Sequence, residues 1–297
     1  MISIIICSRG QSFRQSTIES VAGSIGVPYE VIAIDNSKNE YGICEAYNIG
    51  ATRAQYGILC FMHEDIAFRT TGWGNIVERI LLDNSIGVLG ITGGKWLPNA
   101  PGTWWSCGNK YLSSNVLDQS SNGEYSRYTY SNPEDKNLVD VAAVDGLWIC
   151  ARKEVWARFP FDEKVFPGFH FYDVDFCATI SQEYRICVSL EISVTHFSLG
   201  SYNDSWLTYA DVFYRKHLNR LPIGQVQLSN REACVQEYEA CKTFLLQLID
   251  KNMAVGIGYL YLSRCIKMKP FSRDTIWLAR YYARYIWQNR YKRKHKG

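Results

Sequence analysis

Over the first third of the chain, apolar residues come in short runs, the first of them β-branched, and each run stops at polar residues. Ile2-Ser-Ile-Ile-Ile-Cys7, Tyr29–Ile34 and Gly57–Met62 read as buried strands. Between them, Phe13–Ser24 and Gly42–Ala54 read as helices. A βαβαβ order with short connections predicts a parallel sheet with right-handed crossovers. Three strand ends then meet on one edge: Ser8-Arg9, Asp35-Asn36 and His63-Glu64-Asp65. In open α/β sheets that edge is where ligands bind.

Farther along, the pattern predicts a helix over Trp73–Asp83 and a strand over Ile86–Ile91. A long stretch from Gly93 to Asn137, dense in Gly, Ser, Asn, Trp and Tyr, reads as loop. Val139–Val144 reads as a strand leading into Asp145-Gly146, and Lys153–Arg158 as a short helix. A turn at Pro167-Gly168 precedes a helix that begins near Tyr172 and ends near Glu183. Arg185–Leu190 and Val194–His196 read as edge strands. Beyond residue 203 the periodicity is helical throughout, at Trp206–Leu218, Asn230–Asp250, Ala254–Lys267 and Arg273–Arg293. The expected organisation is an α/β domain over residues 1–203, with a boundary near Ser201–Asp204, and a helical region over 204–297.

Composition changes this picture in two places. The ten cysteines include no Cys-x-x-Cys pair, which argues against a zinc ribbon or a thioredoxin-type site. Several lie inside apolar runs, where a free thiol acts as a small hydrophobe, so a reduced, cytoplasmic protein is expected. Met1 leads straight into the first strand without a basic leader, and no apolar run approaches the ~20 residues of a membrane helix. The net charge of +3 conceals an asymmetry: residues 271–297 hold eight basic residues against Asp274 alone. In that segment Arg273, Arg280 and Arg284 form one strip, and Trp277, Leu278, Tyr281, Tyr282 and Tyr285 an adjacent arc. Such a helix either packs on the body with a solvated basic edge or lies on an anionic membrane, which for a cytoplasmic protein is its inner face. No nucleic-acid-binding motif accompanies the charge, so nucleic acid is not an expected partner.

The chemistry concentrates at His63-Glu64-Asp65. Two carboxylates and an imidazole at a strand end repel or compete unless a cation or a ligand compensates them, so the cluster points to a metal and a phosphorylated ligand. Gly-x-Gly-x-x-Gly after the first strand, His-Glu-x-x-His and a P-loop are all absent.

Five segments, in order, resemble the family 2 glycosyltransferases. Ile2-Ser-Ile-Ile-Ile-Cys-Ser-Arg9 resembles the opening strand beside the nucleotide base. Glu30-Val-Ile-Ala-Ile-Asp35-Asn-Ser37 resembles the strand whose terminal acid contacts the nucleoside. Cys44-Glu-Ala-Tyr-Asn48-Ile-Gly50-Ala51 resembles the Ala-x-Asn-x-Gly helix. Leu59-Cys-Phe-Met-His63-Glu-Asp65-Ile66 resembles the Asp-x-Asp motif, and Tyr172-Asp173-Val174-Asp175 the Glu-Asp-Val-Asp stretch that holds the catalytic base. The resemblance spans roughly the first 200 residues. It implies a GT-A-type, Rossmann-like, mostly parallel sheet flanked by helices, and an inverting transfer of sugar from a nucleotide-sugar donor to a saccharide or lipid-linked acceptor, as in polysaccharide assembly.

On this resemblance Ser8, Arg9, Asp35 and Asn36 border the nucleotide. Asp65 leads the metal set for Mn²⁺ or Mg²⁺, with Glu64 or His63 assisting and His196 as a late ligand. Asp173 is the base. Asp145, Gly146, Trp104, Trp105, His170 and Tyr172 are candidates around the sugar and acceptor, and Asn48 is a structural fastener. The chain departs from the pattern twice, with His63 and Tyr172 standing where the family places acids. Those departures keep open a second reading, a nucleotide-sugar-binding or scaffolding protein without turnover.

Overall fold

The first strand, β1 (Ile2–Ser8), is covered on both faces: Ile2, Ile4, Ile5 and Ile6 are all fully buried, as expected for a central strand. The computed structural model describes residues 1–120, 124–198 and 203–294, without side chains for 11–13 and 290–294. After β1 come α1 (Gln11–Ser24), β2 (Tyr29–Asp35), α2 (Ile43–Arg53) and β3 (Ile58–Met62). β1 pairs in parallel with β2 and β3, with Ser8 opposite Asp35 and Ile6 opposite Met62. The three strand ends therefore finish level.

Next in the chain are β4 (Ile66–Phe68), α3 (Trp73–Leu81), β5 (Ile86–Gly90), β6 (Thr92–Gly94), β7 (Trp96–Leu97), β8 (Leu112–Gln119), β9 (Ser126–Ser131), β10 (Leu138–Val141), β11 (Ala143–Val144) and β12 (Trp148–Arg152). They are followed by α4 (Lys153–Arg158), α5 (Tyr172–Ile180), β13 (Arg185–Ser189) and β14 (Val194–His196). The main sheet has the order β10-β13-β5-β12-β3-β1-β2. It is mixed rather than mostly parallel: β12 runs antiparallel to both β3 and β5, and β10 antiparallel to β13. β12 is hard to see in the sequence because it sits between the apolar run before Asp145 and α4, with no turn residue separating it from α4. Its direction matters, since an antiparallel strand begins at the edge where its neighbours end. Asp145-Gly146-Leu147 thus reaches the same edge as His63, and His63 N–H donates to the Leu147 carbonyl at 3.0 Å.

A second sheet, β11-β6-β8-β14-β4 with β9 on β8, is built largely from residues whose composition suggests loop. Here small polar residues are buried strand residues: Ser113, Ser114 and Asn115 are at most 7% exposed. Gly94 has no room for a side chain, because a Cβ there would overlap the Trp104 carbonyl. β14 lies inside this sheet, between β8 and β4, and β13 lies inside the main sheet, so neither is an edge strand.

Asn48 fastens α2 to α4 and to the segment that follows it. Its Nδ2 donates to the Phe161 carbonyl at 2.9 Å, and its Oδ1 accepts from Trp156 Nε1 and Phe161 N.

The chain divides into two compact units, residues 1–97, 103–201 and 222–226 in one and 98–102, 202–221 and 227–297 in the other. The boundary expected near 201–204 falls partly on 199–202, outside the described residues. The second unit holds α6 (Asp204–Lys216), α7 (Asn230–Asp250), α8 (Gly258–Met268) and α9 (Arg273–Lys294). Tyr238, Cys241, Phe244, Leu245, Leu248, Tyr261 and Leu278 form its buried interior. None of the ten cysteines is disulfide-bonded. Among the described residues, no helix is long and apolar enough to cross a membrane.

Gly50 tests how tightly α2 rests on β1. An alanine in a helix interior ordinarily gains ~1 kcal/mol over glycine. At this position the added methyl would overlap the Ile5 side chain, itself fully buried. Overpacking of this kind costs ~1–3 kcal/mol. We expect Gly50→Ala to lower the denaturant midpoint; a rise would show that Ile5 has room to move.

Candidate active site

The link His63-Glu64-Asp65 is where the chain leaves one sheet for the other: β3 ends at Met62 in the main sheet and β4 begins at Ile66 in the second. A turn this short holds its side chains in place from both sides. In the second sheet β14 sets His196 opposite Ile66 on β4 and opposite Asp118 on β8. His63, Asp65 and His196 consequently converge, with ligand atoms all within 4.8 Å of one another. His63 Nδ1 lies 3.9 Å from Asp65 Oδ1, and His196 Nε2 lies 3.8 Å from Asp65 Oδ2. Their side chains remain 12–19% exposed, enough for a ligand to reach them.

Donor counting fixes which nitrogen each histidine offers. The Tyr172 hydroxyl donates its single proton to the Gly146 carbonyl at 2.9 Å. His63 Nε2, 2.9 Å from the same hydroxyl, must then supply the proton between them, which leaves a lone pair on Nδ1 facing Asp65. His196 Nδ1 stands 3.2 Å from Asp118 Oδ1 and donates to it, which leaves a lone pair on Nε2, 3.8 Å from Asp65 Oδ2; the Ser198 hydroxyl, 3.0 Å away, donates to that lone pair and would give it up to an ion. A carboxylate or hydroxyl behind each imidazole is the usual support of a metal-bound histidine. Burial pushes the His63 pKa down, against the pull of Asp65, so the ring is neutral. Burial also works against a charge on His196, but Asp118 and Asp65 together raise its pKa. In the absence of a cation, His196 is therefore the group able to balance Asp65.

Asp65 Oδ1 is buried without a hydrogen-bond partner. A carboxylate oxygen so placed is costly unless an ion meets it. Two ligands on one first-row ion lie about 3–4 Å apart, so the spacing suits a shared divalent cation with little closing movement. Two imidazoles and one carboxylate shift the preference from Mg²⁺ toward Mn²⁺. The donor set and the orphaned oxygen thus fit a metal.

Glu64 faces elsewhere. Its carboxylate accepts from Ser8 Oγ at 2.6 Å, Arg9 N at 2.9 Å and Gly10 N at 3.3 Å, and so holds the turn between β1 and α1. Ser8 is buried and its hydroxyl is committed there. Asn36 is also buried, with its amide engaged by Tyr41 N and O across the loop, so its side chain braces the loop. Asp35 is exposed at the end of β2, where hydrogen bonds from Ser37 hold its carboxyl below the usual range. The Arg9 guanidinium lies 5.6 Å from the Phe169 ring centre.

On the other side of the triad, Asp173 sits in the first turn of α5, and its Oδ2 accepts from Gly146 N at 3.0 Å. Burial, and then the neighbouring Asp145, push its carboxyl up to about 7. Asp145 spends its oxygens on Trp104 Nε1 at 3.0 Å and Leu147 N at 2.8 Å, so it positions the turn and one tryptophan. Gly146 links the halves of the site, donating to Asp173 and accepting from Tyr172. A Cβ on it would overlap the Tyr172 hydroxyl. Trp104 and Trp105 lie half-buried in a single 3₁₀ turn. His170 is half-buried beside Phe169.

Phe169, Phe171 and Asp118 are absent from the sequence-based candidates. Phe169 is 41% exposed, 5.6 Å from the His63 ring, and forms a wall above it. Phe171 caps α5 with φ 68°, a left-handed conformation costing roughly 1 kcal/mol or more for a side chain of this size. Its buried ring holds the backbone in that turn, which aims Tyr172 and Asp173. Asp118 lies in the stretch whose composition suggests loop; only strand pairing brings it to His196.

Comparison with known proteins bears on the family and the fold. The sequence profile described as the glycosyltransferase-like family matches residues 3–219. No curated protein matches significantly. Among solved structures, GalNAc-T7 with UDP, GalNAc and Mn²⁺ is similar at TM-score 0.50 and 13% identity, covering 73% of this chain and 50% of that one. This chain therefore spans about half the length of that protein. TarS residues 1–349 from S. aureus aligns at TM-score 0.46 and 11% identity over 90% of this chain and 88% of that one. A197 from STIV aligns at TM-score 0.40 and 13% identity, covering 77% and 96%. With a family profile over nearly three-quarters of its length and a GT-A fold, the chain belongs to the glycosyltransferase-like family.

Proposed function

We propose that this protein transfers a sugar, with inversion, from a nucleotide-sugar donor to a saccharide or lipid-linked acceptor, using a divalent metal held by His63 Nδ1, Asp65 and His196 Nε2. The observation that carries the reading is the single run of contacts from Asp173 through Gly146 and Tyr172 to His63, which joins a carboxylate of raised pKa to a metal-competent triad. The solved relative with UDP and Mn²⁺ supports the donor class and the ion. The unbridged cysteines favour a reducing, cytoplasmic setting.

When bound, the metal would supply Lewis-acid stabilisation of the departing diphosphate. The chain's own residues do the rest. Asp173 takes the proton of the acceptor hydroxyl as its oxygen attacks the anomeric carbon and the bond to the diphosphate breaks. A pKa near 7 suits this exchange, because a large share of the base is ionised near neutral pH and yet it keeps affinity for the proton. One base and no nucleophile give inversion. Asp35 and Arg9 lie on the donor side at the β1–β2 edge, and Phe169 covers the histidine face. The departures at His63 and Tyr172 support activity rather than its loss, since the tyrosine sets the histidine's tautomer.

The direct test is incubation with UDP-, GDP- and dTDP-sugars, with and without Mn²⁺ or Mg²⁺. Metal-dependent hydrolysis or transfer of one donor is expected; metal-independent binding of all donors without turnover would favour the silent reading. Turnover should rise with pH through an ionisation near 7, because only the deprotonated Asp173 accepts a proton. Asp173→Asn should lower kcat by ~10²–10⁴-fold and leave nucleotide affinity unchanged. Activity surviving that change would remove Asp173 as the base. Tyr172→Phe should weaken Mn²⁺ binding by ~10–100-fold in calorimetry, as loss of a metal ligand's support does. Unchanged affinity would mean that the tautomer is set otherwise.

A further inference from the structure

Among the described side chains of α9, one face is used in packing. Thr275, Leu278, Tyr282 and Tyr285, at successive spacings of three and four, are buried. Thr275 Oγ1 donates to the Tyr238 hydroxyl at 2.9 Å, and the Tyr282 hydroxyl donates to the Ala254 carbonyl at 3.1 Å. Arg273, Trp277, Arg280, Tyr281, Arg284 and Trp287 fall on the opposite face at the same helical spacing, and all are exposed. Trp277 is 53% exposed, Trp287 65% and Tyr281 42%, while Phe271, just before the helix, is 92% exposed. Trp277 and Tyr281 stack, with ring centres 5.1 Å apart. The cations of this face are uncompensated: Asp274, the one acid in residues 271–297, lies 3.7 Å from Lys242, and Arg273, Arg280 and Arg284 have no acidic partner among the described residues.

A solvated basic edge explains the arginines but not the tryptophans between them. Water gives exposed Trp, Tyr and Phe no reward, and a patch of them on a monomer marks a contact surface. A second copy docking face to face would set like charges against each other. An anionic lipid surface satisfies both residue types at once, since Trp and Tyr rings settle at headgroup depth and each arginine contributes ~1 kcal/mol against negative headgroups. The helix has 22 residues, so it would lie along the surface for ~33 Å, and its charges exclude a crossing.

We infer that the exposed Arg–aromatic face of α9 docks peripherally on an anionic lipid bilayer. Nothing in this surface depends on the chemistry at Asp65 or Asp173, so the two stand or fall separately. The test is co-sedimentation of the full chain with vesicles of phosphatidylcholine alone and of phosphatidylcholine mixed with phosphatidylglycerol. Binding to the mixed vesicles alone is expected, falling as salt rises. Arg273→Gln, Arg280→Gln and Arg284→Gln together should lower partitioning about a hundredfold, from ~1 kcal/mol per arginine. Trp277→Ser with Trp287→Ser should also weaken it. All five positions are exposed, and an unchanged thermal midpoint would confirm that the variants fold. Equal affinity for both vesicles, or a triple variant that binds as well as the parent, would overturn the inference. So would tighter binding to single-stranded DNA than to vesicles, or a dimer that the triple variant abolishes.

Discussion

The Asp65 carboxylate governs the site. One of its oxygens is buried with no donor, and an imidazole nitrogen of His63 and of His196 approaches the carboxylate, the latter also within reach of the Ser198 hydroxyl. Nothing in the chain can neutralise that oxygen without protonating a histidine or admitting an ion. Each neighbour makes sense as a response to this constraint. Asp118 turns His196, Tyr172 turns His63, and Gly146 accepts from the tyrosine while holding Asp173. Replacing Asp118, Tyr172 or Asp173 by an apolar residue would leave a donor or acceptor unmatched in the site, at a cost of ~1–3 kcal/mol.

The fold supplies the precision. His63-Glu64-Asp65 is too short to wander, because strands in two different sheets hold its ends. The antiparallel entry of β12 brings Asp145-Gly146-Leu147 to the same edge, and a left-handed Phe171 swings α5 toward it. Second-sheet pairing does the same for His196 and Asp118, which are 78 residues apart in sequence. Loops of equal length on a single sheet could not fix these four segments to within hydrogen-bonding distance.

How much of this was legible in the sequence depends on the range of the interaction. β1 is a β-branched run, and β2 and β3 are short, mainly apolar runs, each ending at polar residues, so local pattern is enough to place them and their level ends. Asp65 and Asp173 stand out through motif order, and His196 through its place at a strand end late in the domain. β12 is not legible, because it is a short apolar run that passes directly into α4 with no turn residue between them. The second sheet was hidden for another reason: buried Ser113, Ser114 and Asn115 and crowded Gly93 and Gly94 carry loop composition, and only long-range pairing makes them strands. Glu64, Ser8 and Asn36 looked like ligand contacts because their residue types are right, yet local hydrogen bonds consume them. Residue type shows which groups are able to bind; partner accounting shows which remain free to.

The most direct measurement is pulsed electron paramagnetic resonance of Mn²⁺ added to the protein with UDP. Two nitrogen couplings from directly bound imidazoles are predicted, one lost in His63→Ala and the other in His196→Ala. A Mn²⁺ spectrum with oxygen ligands only, unchanged in both variants, would contradict the placement of the metal at Asp65 between the two histidines.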